Sequence, residues 1–170
     1  MRWLKPNEVA PHGHAPGAKH RLVSSLSDGS KVYALVLAEG DDVPTALLEL
    51  AKTESIHAAH FVAIGGVRGP EVGWFDPQRH EFKAMQLAEQ AEVLTLSGDI
   101  AIGADNAAVV HAHAVFGLSD GTAWGGHVIG AAASPTLEVF VTTYPTALYK
   151  RPRPDGIQLI DPGMDSPMSH

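Results

Sequence analysis

The stretch VVHAHAVFGLSDGTAWGGHVIG, residues 109–130, predicts the hairpin from which the rest of the fold can be worked out. Val109–Gly117 is expected to be one strand and Thr122–Gly130 its returning partner. Between them, Ser119–Gly121 suits a three-residue loop with glycine in the left-handed position. The loop length matters because side chains alternate between the two faces of a strand, so a one-residue slip would reverse the face of every residue.

Three histidines meet on one face of this hairpin if the loop has three residues. His111 and His113 are two apart on the first strand and therefore project side by side. The three-residue loop places His127 opposite His113 on the same face, whereas a two-residue loop would turn it to the other face. Three neutral histidines with an open fourth position are a common arrangement for a catalytic or ligand-binding zinc ion. The spacing therefore indicates a metal site, and its alternative is a solvated hairpin face with polar side chains.

Composition limits the class of protein. A length of 170 residues suits one domain with a core of its own. The chain has no cysteine, so any metal must be held by histidine, carboxylate or water. There is no apolar run of the ~20 residues that span a bilayer and no apolar stretch typical of a secretion signal, so we expect a cytoplasmic protein without a membrane partner. The formal net charge of −7 argues against a free-standing nucleic-acid binder, which normally carries a basic patch.

Helical spacing is clear at one place in the chain. Asp41 or Asp42 can cap a helix start, Pro44 fits its first turn, and the apolar residues that follow predict one main helix over about residues 43–55. Strand patterns dominate elsewhere, over residues 21–27, 31–38, 60–66, 71–75, 81–86, 92–96 and 137–143. These elements predict an α/β fold of the α+β type, with a mixed, mostly antiparallel, twisted sheet.

Turn-forming residues divide the chain into segments. Arg68–Pro70 and Ser97–Asp99 are predicted to interrupt strands. Residues 1–20, rich in proline and glycine and without a helical or strand period, are predicted to be a flexible leader. Residues 21–149 are expected to form a single domain, and residues 150–170 a loose, proline-rich tail.

Taken together, several separated motifs resemble a known family. The chain is similar, over about residues 31–144, to the plants and prokaryotes conserved domain family, the PPC domain, a family of unknown function. The motifs that carry the resemblance are Gly40–Val43, Ile64–Val67, Gly73–Pro77, Glu92–Gly98, His111–His113, Gly125–His127 and Thr136–Phe140.

The resemblance implies a domain that assembles into a homotrimer, and prokaryotic members of the family often stand alone. The fold is also similar to that of acetolactate decarboxylase, a zinc enzyme with a His-x-His pair and a later histidine, which correspond here to His111, His113 and His127. Outside these histidines we find no match to that enzyme's carboxylate ligands or its substrate-orienting arginine. The resemblance therefore supports a zinc site but does not support the decarboxylase reaction.

DNA contact is a property of the plant members, in which AT-hook segments accompany the domain. The only basic cluster here is at Lys150–Pro154, and its Arg151–Pro154 stretch has proline where an AT hook has its central glycine. We therefore interpret the cluster as a basic, proline-rich tail, and nucleic acid is not expected to be a partner of the chain by itself.

A carboxylate is expected to fix the ring orientation of each metal-binding histidine. Asp99, Asp120 and Glu138 are the candidates, and Glu138 is the one expected to lie nearest the metal. Glu138 shares a strand face with Phe140, so it is either a buried partner of the site or an edge charge.

Two glycines and an arginine complete the candidate site. Gly125 and Gly126 indicate a bulge or a close approach of another backbone, and they also leave space for a ligand above the metal. Arg68 could attract a small anionic ligand or lie solvated on the surface.

Two functions of different classes follow. The first is a trimeric module in which the histidine site holds zinc for structure or for the recognition of a small anion, with a ligand-binding or regulatory role. The second is a metal-dependent lyase or hydrolase acting on a small carboxylate, in which the open zinc position polarises a carbonyl or activates water. The enzyme comes second because no general acid or base is evident. A DNA-associated protein is third, disfavoured by the net charge of −7.

Overall fold

Ten strands, one α-helix and one turn of 3-10 helix lie within residues 2–167, the part of the chain described by the computed structural model. In chain order they are β1 (Arg2–Leu4), the 3-10 turn (Pro6–Glu8), β2 (Lys19–Ser25), β3 (Lys31–Leu37), α1 (Val43–Thr53), β4 (Ala58–Asp76), β5 (Glu81–Gln86), β6 (Gln90–Ile102), β7 (Ala108–Gly117), β8 (Ala123–Thr143), β9 (Lys150–Pro152) and β10 (Gln158–Ile160).

One large sheet forms the body of the fold. Its strands lie in the order β1-β5-β4-β6-β7-β8-β3-β2, and neighbouring strands are antiparallel. A further antiparallel pairing joins β4 to β8, so β4, β6, β7 and β8 close into a ring. Strands β9 and β10 pair with each other in a small second sheet. The predicted α+β fold with a mostly antiparallel sheet is confirmed.

The main helix begins where the sequence predicts it. Asp42 precedes α1, and its carboxylate accepts the backbone N–H of Thr45 at 3.0 Å. Leu47 and Leu50 are buried on the face of α1 that lies against β7 and β8. The helix ends at Thr53, two residues before the predicted end. Within residues 2–167, no helix has the length and apolar character needed to cross a membrane.

The two faces of the sheet differ in exposure. In β4, Phe61 and Ala63 belong to the buried core, whereas His60, Val62 and Ile64 alternate with them and are exposed. The sheet thus has an inner face that encloses the core and an outer face that is exposed at these residues of β4.

At two places in the chain, two strands that were predicted separately form one continuous strand in the structure. The predicted strands at 60–66 and 71–75 are both parts of β4, because shifts of register let the strand bend without leaving the sheet. For the same reason the strands predicted at 122–130 and 137–143 join in β8. The break predicted at Ser97–Asp99 is wrong, since β6 runs through it to Ile102.

Both flanks of the predicted domain contain more structure than expected. In the predicted flexible leader, β1 pairs with β5, and the carbonyl of His14 accepts the backbone N–H of Asp42 at 2.9 Å. In the predicted loose tail, Lys150 begins the β9–β10 hairpin and is buried. Residues 1 and 168–170 of these segments lie outside the described residues. The boundaries at 21 and 149 stay predictions.

The β7–β8 hairpin has the predicted register. Its loop is Ser119–Gly121, closed by a hydrogen bond of 2.9 Å from the backbone N–H of Leu118 to the carbonyl of Thr122. Gly121 has a φ of +83°, the left-handed conformation that this loop requires. His113 therefore lies opposite His127, which confirms the register that brings the histidines together.

Close backbone contact explains the glycine pair before His127. A Cβ atom on Gly125 would lie 2.2 Å from the carbonyl oxygen of Ala114, and one on Gly126 would lie 2.9 Å from the carbonyl oxygen of Gly73. The predicted close approach of another backbone is therefore present at both glycines.

We expect the substitution Gly125→Ala to destabilise the protein by about 1–3 kcal/mol, because a methyl group must displace the neighbouring strand. Gly130→Ala is the matched control in the same strand, where the nearest atom to an added Cβ is Asp42 Oδ1 at 4.0 Å. Urea denaturation measures both. Equal unfolding midpoints for the two variants would show that the strands are not in close contact at Gly125.

Candidate metal centre

The three histidines lie where two strands separate. The pairing of β7 with β8 runs from Gly117–Ala123 to His113–His127 and ends there. Beyond this point β8 continues against β4, and β7 continues against β6, where His111 lies opposite Asp99. The separation of β7 and β8 opens a gap in the sheet directly beside the imidazole rings.

The geometry brings the three side chains together. His111, His113 and His127 each offer a ring nitrogen, and these atoms lie within 4.8 Å of one another. The ring centroids are 5.1, 5.2 and 5.4 Å apart. Among residues 2–167, these three form the only group of at least three metal-ligating side chains with such spacing.

The donor set fits a zinc ion. Nitrogens bound to one tetrahedral zinc lie about 3.3 Å apart, so modest rotations of the three rings would bring their nitrogens to that spacing. Imidazole is a preferred ligand of zinc and of neighbouring transition metals, and the chain has no cysteine to offer instead. The residues present therefore fit a three-histidine site with an open position.

Burial keeps two of the histidines neutral. The ring of His127 stacks on Phe82 with centroids 4.7 Å apart. Burial, followed by the charges of His111, His113 and Lys150, lowers the pKa of His127 to about 3. Burial and the neighbouring His111 also lower the pKa of His113. At neutral pH both rings consequently have a nitrogen lone pair available for a metal.

Asp99 is the carboxylate that the structure places beside the histidines. Its Oδ2 lies 3.3 Å from Nδ1 of His111, and its Oδ1 lies 2.6 Å from Nζ of Lys150. Oδ1 accepts no hydrogen bond of acceptable angle, so its contact with Lys150 is an ion pair. Burial acts to raise the pKa of Asp99, but the interactions with His111 and Lys150 outweigh it, and the pKa lies below its ordinary value. The ionised carboxylate lies beside Nδ1 of His111, so Nε2 is the nitrogen of that ring which could bind a metal.

The other two carboxylate candidates lie elsewhere. Glu138 is exposed on the outer face, opposite Val36 on one side and Ile64 on the other, and is not part of the histidine group. Asp120 caps the hairpin loop by accepting the backbone N–H of Thr122 at 2.9 Å. The expectation that Glu138 lies nearest the metal is therefore not met. Glu138 lies in the part of β8 that pairs with β3 and β4, whereas His127 lies in the part that pairs with β7.

Arg68 is also remote from the histidines. Its guanidinium group contacts Glu39 and the hydroxyl of Ser134 on an exposed surface, and it does not line the cleft described below.

Sequence reasoning missed Lys150, because the predicted break in β6 and the predicted loose tail both concealed the contact between Asp99 and Lys150. The only signal was its position at the start of the basic cluster.

A cleft of about 800 Å³ opens above the histidines. All three of them line it, together with Gly126 and Lys150, whereas Gly125 does not. Most of the remaining lining is apolar, including Trp74 and Phe75 of β4. The site is thus accessible and large enough for a small organic molecule.

Comparison with known proteins identifies the family. Residues 25–145 match the model of the Plants and Prokaryotes Conserved (PCC) domain, the family called PPC above. The chain belongs to this family, and the resemblance that its motifs carry is confirmed.

Solved structures share the fold over most of their length. A PPC protein from Pyrococcus horikoshii is 24% identical, with 84% of this chain and 94% of that chain covered and a TM-score of 0.73. A protein from Archaeoglobus fulgidus, described as metal-containing, is 29% identical, with coverages of 84% and 96% and a TM-score of 0.70. A candidate DNA-binding protein from Ralstonia eutropha JMP134 is 28% identical, with coverages of 81% and 94% and a TM-score of 0.72. No match was found among curated protein sequences.

The lowered pKa of His127 predicts how the stability of the metal-free protein depends on pH. The pKa is about 3 in the folded chain and about 6.5 when unfolded, so the unfolded chain binds the additional proton between these values. The stabilisation is complete above pH 6.5 and is lost as the pH falls, by at most about 1.4 kcal/mol per pH unit. Urea denaturation between pH 5 and 7 in the presence of a chelator measures this slope.

The substitution His127→Phe should flatten the slope, since phenylalanine can still pack on Phe82 but does not titrate. His12→Gln, at an exposed histidine of the leader, is the control and should leave the slope unchanged. A slope as steep in His127→Phe as in the unsubstituted protein would contradict the lowered pKa.

Proposed function

We propose that the protein is a stand-alone, homotrimeric PPC-domain protein that binds a divalent metal ion, with zinc the best suited, through His111, His113 and His127. In this proposal the cleft above the metal gives the protein a ligand-binding or regulatory role in the cytoplasm. The observation that carries the proposal is the convergence of three histidine nitrogens to within 4.8 Å of one another.

Two properties of the site and one structural relative support metal binding. Burial lowers the pKa of two of the histidines, so protons compete weakly for their nitrogens. Asp99 supplies the carboxylate that commonly orients a metal-binding histidine. The structural relative from Archaeoglobus fulgidus is described as metal-containing. The lowered pKa values and the carboxylate beside His111 are both expected of a metal site and unnecessary for a solvated hairpin face.

We expect the untagged protein, loaded with zinc and dialysed, to retain about one zinc ion per chain in elemental analysis. The double substitution His111→Ala/His113→Ala should abolish this content, because one imidazole cannot hold the ion. His12→Ala/His57→Ala is the matched control, since both histidines are exposed and outside the group. Circular dichroism establishes that each variant is folded. Equal zinc content in all three proteins would overturn the proposed site.

The outer face of the sheet supports self-association. Val62 and Phe140 lie opposite each other on β4 and β8 and are 50% and 51% exposed. Ile64 and Val36 extend the same face and are also exposed. Glu138 is the charged residue between Val36 and Ile64, and the rest of this group is apolar and exposed. Grouped exposed apolar side chains mark interaction surfaces, so we assign the face to contact between copies of the chain, as the family resemblance implies.

The proposed trimer predicts a mass in sedimentation analysis of three times the 18.0 kDa chain. The double substitution Val62→Lys/Phe140→Lys should yield monomers, because it introduces like charges into the middle of the apolar face. Leu26→Lys is the control, at an equally exposed apolar residue in the turn between β2 and β3. Monomeric protein before any substitution would contradict the trimer.

A metal-dependent lyase or hydrolase acting on a small carboxylate is the second candidate. The open cleft beside the histidines favours it, because a bound metal would polarise a carbonyl or activate water there. Against it, Asp99 is engaged by both His111 and Lys150 and is not available as a general base. Turnover of a small carboxylate that His113→Ala abolishes would identify an enzyme rather than a binding module.

DNA binding is not supported by the charges of this chain. Two structural relatives are described as candidate DNA-binding proteins. Here the net charge is −7, and the arginines of the basic cluster are paired, Arg151 with Asp161 at 2.6 Å and Arg153 with Asp155 at 3.1 Å. Guanidinium groups that already pair with carboxylates neutralise few phosphates of a duplex. Few counterions would then leave the duplex, so the driving force for binding it is small.

A further inference from the structure

We infer that the cleft above the three histidines binds a small carboxylate with an apolar body, selected by walls that come from outside the family domain. This inference rests on the proposed metal site. It adds the chemical class of the ligand and assigns Lys150 and the two flanking segments to the binding site.

The flanking segments form two of the walls. The family match ends at residues 25 and 145, yet residues 6–11 and 156–159 contribute to the lining of the cleft. The two segments meet beside the cleft, where a Cβ on Gly156 would lie 3.5 Å from Pro6. The histidines thus lie within the matched residues, and part of the enclosure comes from residues outside that match.

Backbone hydrogen bonds hold both flanking segments in place. In the N-terminal segment, the 3-10 turn is closed by a bond from Val9 to Pro6, and the chain is then fixed to the start of α1 by the bond between Asp42 and His14. In the C-terminal segment, the β9–β10 hairpin is extended by a bond of 3.0 Å from Asp161 to Tyr149. The walls are therefore largely preformed, which reduces the entropy lost when a ligand binds.

The walls are apolar and favour a hydrophobic ligand body. Val9, Ile157 and Leu159 of the flanking segments line the cleft together with Trp74 and Phe75. A volume of about 800 Å³ exceeds what an acetate ion would fill. A ligand that removes these side chains from water gains affinity in proportion to the apolar area buried.

The floor of the cleft favours a negative charge. Lys150 is 1% exposed and lines the cleft, whereas its ion-pair partner Asp99 does not. The charges of Lys150 and Asp99 cancel, and neutral histidines leave the two charges of a bound zinc ion uncompensated. Asp105, exposed at the rim, carries the only other charge among the lining residues. A carboxylate would therefore complement the uncompensated charge of the metal, and Lys150, which borders the cleft and balances Asp99, keeps the negative charge of Asp99 from opposing that carboxylate.

Calorimetric titration of the full-length, zinc-loaded protein with three probes tests the ligand class. Phenylacetate has both the carboxylate and the apolar body, acetate lacks the body, and 2-phenylethanol lacks the charge. We expect phenylacetate to bind at least about tenfold more tightly than either of the others, because each lacks one of the two complementary parts.

Variants assign the parts of the ligand to their partners. Ile157→Asn should weaken phenylacetate by about fivefold or more and leave acetate unchanged, because it makes the wall polar. Lys150→Met should weaken both carboxylates by about tenfold or more, and Lys150→Arg, which keeps the charge beside Asp99, should restore part of the affinity. Arg68→Met removes a cation outside the cleft and is the matched control, without effect on any probe.

Zinc content measured on every sample separates the two proposals. If the protein holds zinc but binds phenylacetate no more tightly than acetate, the carboxylate inference is overturned and the metal site stands. Unchanged phenylacetate binding in both Ile157→Asn and Lys150→Met would overturn the role of the walls and of Lys150. A protein that holds no zinc at the histidines would overturn the metal site and this inference together.

Discussion

The register of the β7–β8 hairpin is the constraint on which the site depends. A loop of three residues, with Gly121 in the left-handed conformation, sets His127 opposite His113. With one residue fewer, every side chain of β8 near the turn would change face, so His127 would point into the core and Val128 out of it. The strands can hold this register because Gly125 lets the backbone of β8 approach Ala114. Loop length and a missing side chain together decide whether the three histidines come together.

A second consequence of the register is electrostatic. Burial, followed by the charges of the neighbouring histidines, lowers the pKa of His113 and of His127, so the folded chain favours neutral rings at both positions. His111 has Asp99 beside it instead, and Asp99 in turn has Lys150. Each buried charge in this chain of contacts has a partner, which offsets part of the cost of removing it from water. The fold thereby prepares a group of metal donors while leaving the cleft floor free of unpaired carboxylate.

The sequence allowed the local features to be predicted, but not the contacts between distant segments. Hairpin register, helix start and strand alternation depend on neighbouring residues, and these predictions hold. Gly98 was interpreted as part of a break, yet its lack of a side chain lets β6 pass the carbonyl of His111, from which a Cβ would lie only 2.0 Å away. Lys150 and Asp99 are in contact although they lie 51 positions apart in the sequence. Nothing in the local pattern around either residue indicates the other.

The same distinction separates the family domain from its flanks. Histidine positions are set by β7 and β8, which lie within the match at 25–145, so relatives with this hairpin can present the same donors. The walls come partly from residues 6–11 and 156–159, which lie outside the match and whose segments are held by backbone hydrogen bonds of their own. Under the proposed function, a change confined to the flanking segments would alter the ligand and leave the histidines in place. Because Lys150 belongs to such a segment and pairs with Asp99, a change of flank would alter the charge beside His111 as well as the shape of the cleft. In the proposed site, ligand choice and metal environment would thus be coupled through the ion pair of Lys150 with Asp99.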